Sequence, residues 1–74
     1  MDRVTPMTPE RLCELEQHVQ RQLQGRVRNF RLSICDDGLV LEGHAYSYHV
    51  KQLAQHAVMK AADHPILANE IEVM

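Results

Sequence analysis

Aromatic residues are scarce in this 74-residue sequence: one phenylalanine, two tyrosines and no tryptophan. A core built from this chain must be aliphatic, and a platform of stacked rings for nucleic-acid bases has few residues to draw on. Cysteine is nearly missing as well. Cys13 and Cys35 fall on different expected elements and lack metal-type spacing, which excludes a disulfide framework and leaves two reduced thiols. Charge of one sign is not in excess. Eight Lys and Arg stand against ten Asp and Glu, a net charge of -2, so nothing draws the whole molecule to nucleic acid or acidic lipid. No run approaches the ~18 apolar residues of a membrane span. The N-terminus has no apolar stretch resembling a signal peptide. As given, the chain reads as cytoplasmic; envelope association is expected only if it is a fragment or processed form of a longer protein. Repeats, linkers and low-complexity segments are missing too.

What is present is enough for one domain. Apolar residues make up 45% of the chain, too many for a disordered tail. A chain of this length buries only about 60% of its unfolded surface, so modest stability is expected.

Residues 1–7 read as a flexible N-terminus and residues 8–74 as a single domain. Thr8-Pro9 starts a first helix: Thr8 is the cap, and Pro9 suits a first turn where its missing N–H is not needed. Leu12, Leu15, Val19 and Leu23 recur at spacings of three and four and form one narrow apolar stripe. Gly25 is expected to close this helix as a left-handed cap. Phe30, Leu32 and Ile34 then alternate with Arg31, Ser33 and Cys35. After Asp36-Asp37-Gly38, Leu39, Leu41, Gly43 and Ala45 alternate with Val40, Glu42 and His44. Period-2 alternation on both sides of an Asp-Gly pair predicts a hairpin, with Gly38 taking the positive φ of the turn.

Ser47 is the expected cap of a second helix over about Tyr48 to Ala62, whose stripe is Val50, Leu53, Ala54, Ala57, Val58 and Ala61. Asp63-His64-Pro65 ends it, since the residue before proline avoids helical angles. Leu67, Asn69, Ile71 and Val73 alternate as a third strand. The predicted fold is α+β in the order α-β-β-α-β. Both helices pack on the one face of a three-stranded sheet that carries Phe30, Leu32, Ile34, Leu39, Leu41, Ile71 and Val73. Gly43, inside a strand, marks a close backbone approach, expected from the second helix.

Catalysis finds little support. Five histidines are present, but His49 and His56, seven apart, stand about 10 Å apart along a helix, too far to share a metal ion. A zinc site from His44, His49 and a cysteine has no local motif behind it, nor has pairing of Cys35 with a histidine. Asp36 and Asp37 are a solvated turn signal. No phosphate-cradling glycine loop occurs. No enzyme activity and no cofactor are expected.

Gly43-His44-Ala45-Tyr46-Ser47 resembles the G-x-V-x-S core of the BON domain, with Ala45 in place of valine. Leu39 and Leu41 precede Gly43 as the family's V-x-L precedes its glycine. Leu67-Ala68-Asn69-Glu70-Ile71-Glu72-Val73 resembles the closing V-x-N-x-L-x-V strand. The resemblance spans residues 10–73 and makes Gly38, Gly43, Ser47 and Asn69 its structural motif. Gly38 stands five positions before Gly43 where the family's turn glycine usually stands six before, so the turn is expected to be one residue short or shifted. The resemblance implies a non-enzymatic α/β module of bacterial envelope and related proteins that binds phospholipid surfaces or proteins.

Candidate binding residues follow from charge and exposure. Arg21, Arg26, Arg28 and Arg31 put half of the basic residues within eleven positions, at the corner between the first helix and first strand. A solvated corner, an anionic lipid and an acidic protein all suit it. The element order also resembles KH-like nucleic-acid binders, the alternative. Against that alternative stand the missing G-x-x-G loop and an outer sheet face of Arg31, Ser33, Cys35, Val40, Glu42, His44, Glu70 and Glu72 without an aromatic. Tyr46, Tyr48 and Met59 are candidate interface residues, and the two edges of a small sheet allow homodimerisation by strand pairing.

Overall fold

The computed structural model describes residues 8–74; the expected flexible segment, 1–7, lies outside them. The elements are α1 (Pro9–Leu23), β1 (Val27–Cys35), β2 (Gly38–Ala45), α2 (Tyr48–Ala61), β3 (Ile66–Asn69) and β4 (Glu72–Val73). β1 and β2 pair antiparallel. β3 and β4 both run parallel to β2. The third strand is thus real but broken into two pieces. Leu15, Val19 and Leu23 of α1 share one core with Ala54 and Val58 of α2 and with Phe30, Leu32, Leu39, Leu41, Ala45 and Ile71. Both helices therefore cover the same sheet face, and the protein is α+β; among the described residues nothing covers the other sheet face.

The caps explain where the helices begin. Thr8 Oγ1 accepts from the Arg11 N–H at 3.1 Å, and Ser47 Oγ accepts from the Val50 N–H at 3.2 Å. Each satisfies an amide that the first turn leaves free. The end of α1 differs from expectation. The left-handed cap is Gln24, at φ 55°, with its N–H donating to the Gln20 and Arg21 carbonyls; Gly25 follows at φ 78°. Two left-handed residues in succession reverse the chain sharply enough for β1 to start at Val27. At the end of α2, Ala61 is exposed. Ala62, in extended conformation, packs against the core in its place.

The hairpin turn is Asp36-Asp37, with φ of 50° and 66°. Cys35 pairs with Gly38, so the loop has two residues of the mirror-image turn that suits strand twist. Gly38 does not supply the positive φ. It opens β2, where a Cβ would lie 2.3 Å from Leu67 Cγ; the missing side chain makes room for β3. Two aspartates in left-handed geometry carry strain that glycine avoids. Asp37→Gly is expected to raise stability by about 0.5 kcal/mol, the relieved strain exceeding the added chain entropy. A higher denaturation midpoint checks this; a lower one would mean that the Asp37 side chain is itself tied into the turn.

Strand register holds a further departure. Val27 pairs with Ala45 and Arg28 with His44, but Arg31 pairs with Glu42. Asn29 and Phe30 thus stand opposite Gly43 alone, a β-bulge with Asn29 at φ 55°. The bulge shifts the alternation, so Val27 and Phe30, three apart, are both buried. Gly43 is where the backbones crowd, and the neighbour is β1. A Cβ there would meet Val27 Cγ1 at 2.8 Å and the Arg28 carbonyl at 3.0 Å. The close approach expected from α2 is instead made by the bulged strand.

Two residues assigned to the core face lie at its rim. Ile34 is 39% exposed, one residue from the turn on an edge strand, and Val73 is 46% exposed on the short outer strand β4. Ile71 holds the core position in this segment. Asn69 places it there: its Oδ1 accepts from the Ile71 N–H at 3.2 Å, turning the chain between β3 and β4. The Asn69 amide nitrogen donates to the Lys51 carbonyl at 3.1 Å and to Gln55 Oε1 at 3.2 Å, tying the strand to α2.

Candidate functional site: the basic and aromatic end of the sheet

The α1–β1 corner and the end of β2 lie at the same end of the sheet because Val27 pairs with Ala45. Arg26 precedes Val27 and Tyr46 follows Ala45, so the two exposed residues emerge side by side. The last strand joins them. Val73 pairs with Ala45, and the Met74 N–H donates to the Ala45 carbonyl at 2.8 Å. Tyr46, Tyr48 and Met74 are 66%, 62% and 64% exposed. Tyr48 opens α2 immediately beyond the Ser47 cap. One end of the domain therefore presents arginine on one side and tyrosine and methionine beside it.

Each candidate arginine has a defined place. Arg21 is in the last turn of α1 and exposed, as is Arg26 in the corner. A groove of about 480 Å³ runs along this corner, lined by Gln17, Gln20, Arg21, Gly25 and Val27. Arg28 points to the open sheet face, level with His44 on β2 and Glu72 on β4. His44 Nε2 lies 3.5 Å from Glu72 Oε1. Arg31 is level with Glu42. Charge across the open face thus runs from Arg28 and Arg31 on β1 to Glu42 on β2 and Glu72 on β4. Met59 is exposed on α2, eleven residues after Tyr48 and near the helix's other end.

The other candidates stay separate. Cys13 and Cys35 are free and exposed. Among the described residues no three His, Cys, Asp or Glu side chains converge in a way that could hold a metal ion. No helix among them is long and apolar enough to cross a membrane. Gly38 and Gly43 make room for neighbouring strands, Ser47 caps α2, and Asn69 ties the turn before β4 to α2.

The sequence pattern missed the contribution of Val73 and Met74 to this end, because it depends on the parallel register of β4. It also missed Glu16 and Gln20. The Leu32 N–H donates to Glu16 Oε1 at 2.9 Å, and Gln20 Nε2 donates to the Phe30 carbonyl at 3.2 Å. Their spacing of four, beside the apolar stripe, was the available signal. Compared with protein-family models, curated proteins and solved structures, the chain matches none.

Proposed function

We propose that this chain is a non-catalytic binding module of BON type that meets an anionic phospholipid surface through Arg21, Arg26, Arg28, Tyr46 and Tyr48. The observation that carries the reading is the pairing of Val27 with Ala45, which brings the basic corner and the exposed tyrosines to one end of the sheet. Guanidinium groups bind phosphate as planar, always-charged forks. Tyrosine rings suit an interface where one end is apolar and the other wet. Each basic residue near an anionic membrane contributes about 1 kcal/mol, and three of them give weak, salt-sensitive attachment. Glu70 and Glu72 on the far edge oppose a flat approach and favour contact through the arginine side.

Flotation with anionic and with neutral vesicles tests this. Wild-type protein is expected to float with anionic vesicles at low salt and to be released as salt rises, since screening shortens the reach of exposed charges. Arg26→Glu with Arg28→Glu is expected to abolish flotation while leaving the unfolding free energy within about 0.5 kcal/mol of wild type, as for most surface changes. Equal recovery with both vesicle types would remove the lipid reading and leave an acidic protein partner for the same residues.

A further inference from the structure

We propose that the free edge of β1 is a strand-addition site for a second copy of this chain, held shut by Glu16 and Gln20. Among the described residues β1 is the longest strand and pairs only with β2, so its other edge would present unpaired backbone groups. Two of these groups are occupied from within the chain. Glu16 accepts the Leu32 N–H, and Gln20 donates to the Phe30 carbonyl. The two side chains, one helical turn apart on α1, reach the two backbone positions that an incoming strand would have to use. They do so without closing the edge completely: among the described residues no side chain caps the Leu32 carbonyl or Ile34, and Ile34 remains 39% exposed.

The register of self-pairing favours a second copy. In an antiparallel pair centred on Leu32, the Leu32 N–H and carbonyl exchange with the same groups of the copy. Arg31 then faces Ser33, so like charges are not directly opposed on the open face. Ile34 lies level with Phe30 of the copy on the other face; that ring, 1% exposed, stays in its own core, so it is the seam itself that screens Ile34. The opposite edge is a poorer partner. It is broken between Asn69 and Glu72, and self-pairing there would bring Glu70 and Glu72 of the two copies together.

Glu16→Ala with Gln20→Ala frees the two edge groups. Sedimentation over a concentration series is expected to show self-association at least about tenfold tighter than wild type, as the freed Leu32 N–H and Phe30 carbonyl of each copy allow four hydrogen bonds between copies. Glu16→Gln keeps an acceptor oxygen for the Leu32 amide and is expected to sediment as wild type. Ile34→Pro, added to the double-alanine variant, removes the next outward N–H and is expected to abolish the association. A folded double-alanine variant that sediments as wild type overturns the proposal, and so does association that survives Ile34→Pro. If the double variant does not fold, hydrogen exchange at the Leu32 amide decides. Exchange must be faster in Glu16→Ala than in Glu16→Gln, and equal rates overturn the proposal.

Discussion

Phe30→Ala is expected to cost about 3–5 kcal/mol, the usual range for truncating a buried phenylalanine. The chain has one phenylalanine, and it is 1% exposed within a core that is otherwise aliphatic. The same core includes small residues, Ala45 and Ala54, that cannot extend to fill a vacated volume. A domain of this size has roughly 4–11 kcal/mol of total stability on the usual per-residue range, so this one change removes a large part of it. A midpoint lowered by about 15–30 °C follows from the entropy of unfolding a 60–100-residue domain. Thermal and chemical denaturation check the result. Tyr46→Ala, at an exposed site, serves as a control and should shift stability by no more than about 0.5 kcal/mol. A loss below about 1 kcal/mol for Phe30→Ala would mean that the core closes without the ring, and that Leu39, Leu41 and Ile71 define it instead.

The burial of Phe30 also shows what the sequence makes readable. The alternation from Phe30 to Leu32 and from Leu39 to Leu41 marks the core face correctly, and so do the stripes of α1 and the middle of α2. Periodicity works there because each apolar side chain meets the other layer directly. It misleads at the ends. Ile34 and Val73 fit the pattern but lie at edges where the helices do not reach. Val27 is buried out of phase because Asn29 adds a residue to β1. A bulge depends on how two strands face each other, and no local composition at Arg28-Asn29-Phe30 announces it. The turn was misplaced by the same kind of error. Asp-Gly suggested a positive φ at Gly38, whereas packing by Leu67 claims that glycine and leaves the two aspartates to turn the chain.

The candidate site was legible in parts and not as a whole. The arginines cluster in sequence, and the tyrosines bracket a helix cap. Their meeting at one end depends on Val27 pairing with Ala45, a register set by the bulge and the two-residue turn together. Glu16 reads as an acidic residue early in the first helix, where it suits the helix dipole, and Gln20 carries no reading of its own. Their work on the β1 edge becomes visible only once α1 is laid antiparallel along that strand. Tertiary placement, not residue type, gives these side chains their role.

Gly43→Val is expected to destabilise by about 2–5 kcal/mol, combining backbone strain and overpacking. Gly43 has φ 149°, outside the range that side-chain-bearing residues adopt readily. A Cβ at this position would also be 2.8 Å from Val27 Cγ1 and 3.0 Å from the Arg28 carbonyl. The valine methyl can move, but the carbonyl belongs to the ladder and cannot. Gly43→Ala should therefore already show most of the loss. A double-mutant cycle identifies the crowding strand, because residues in contact couple and distant ones add. Val27→Ala is expected to recover part of the Gly43→Ala loss by removing the nearer obstacle. Ala54→Gly on α2 should add to it independently. Coupling to Ala54 without coupling to Val27 would mean that helix α2, and not the bulge of β1, sets the space at Gly43. A midpoint unchanged by Gly43→Val would mean that the bulge relaxes at no cost and does not fix the register on which the meeting of Arg26 and Tyr46 depends.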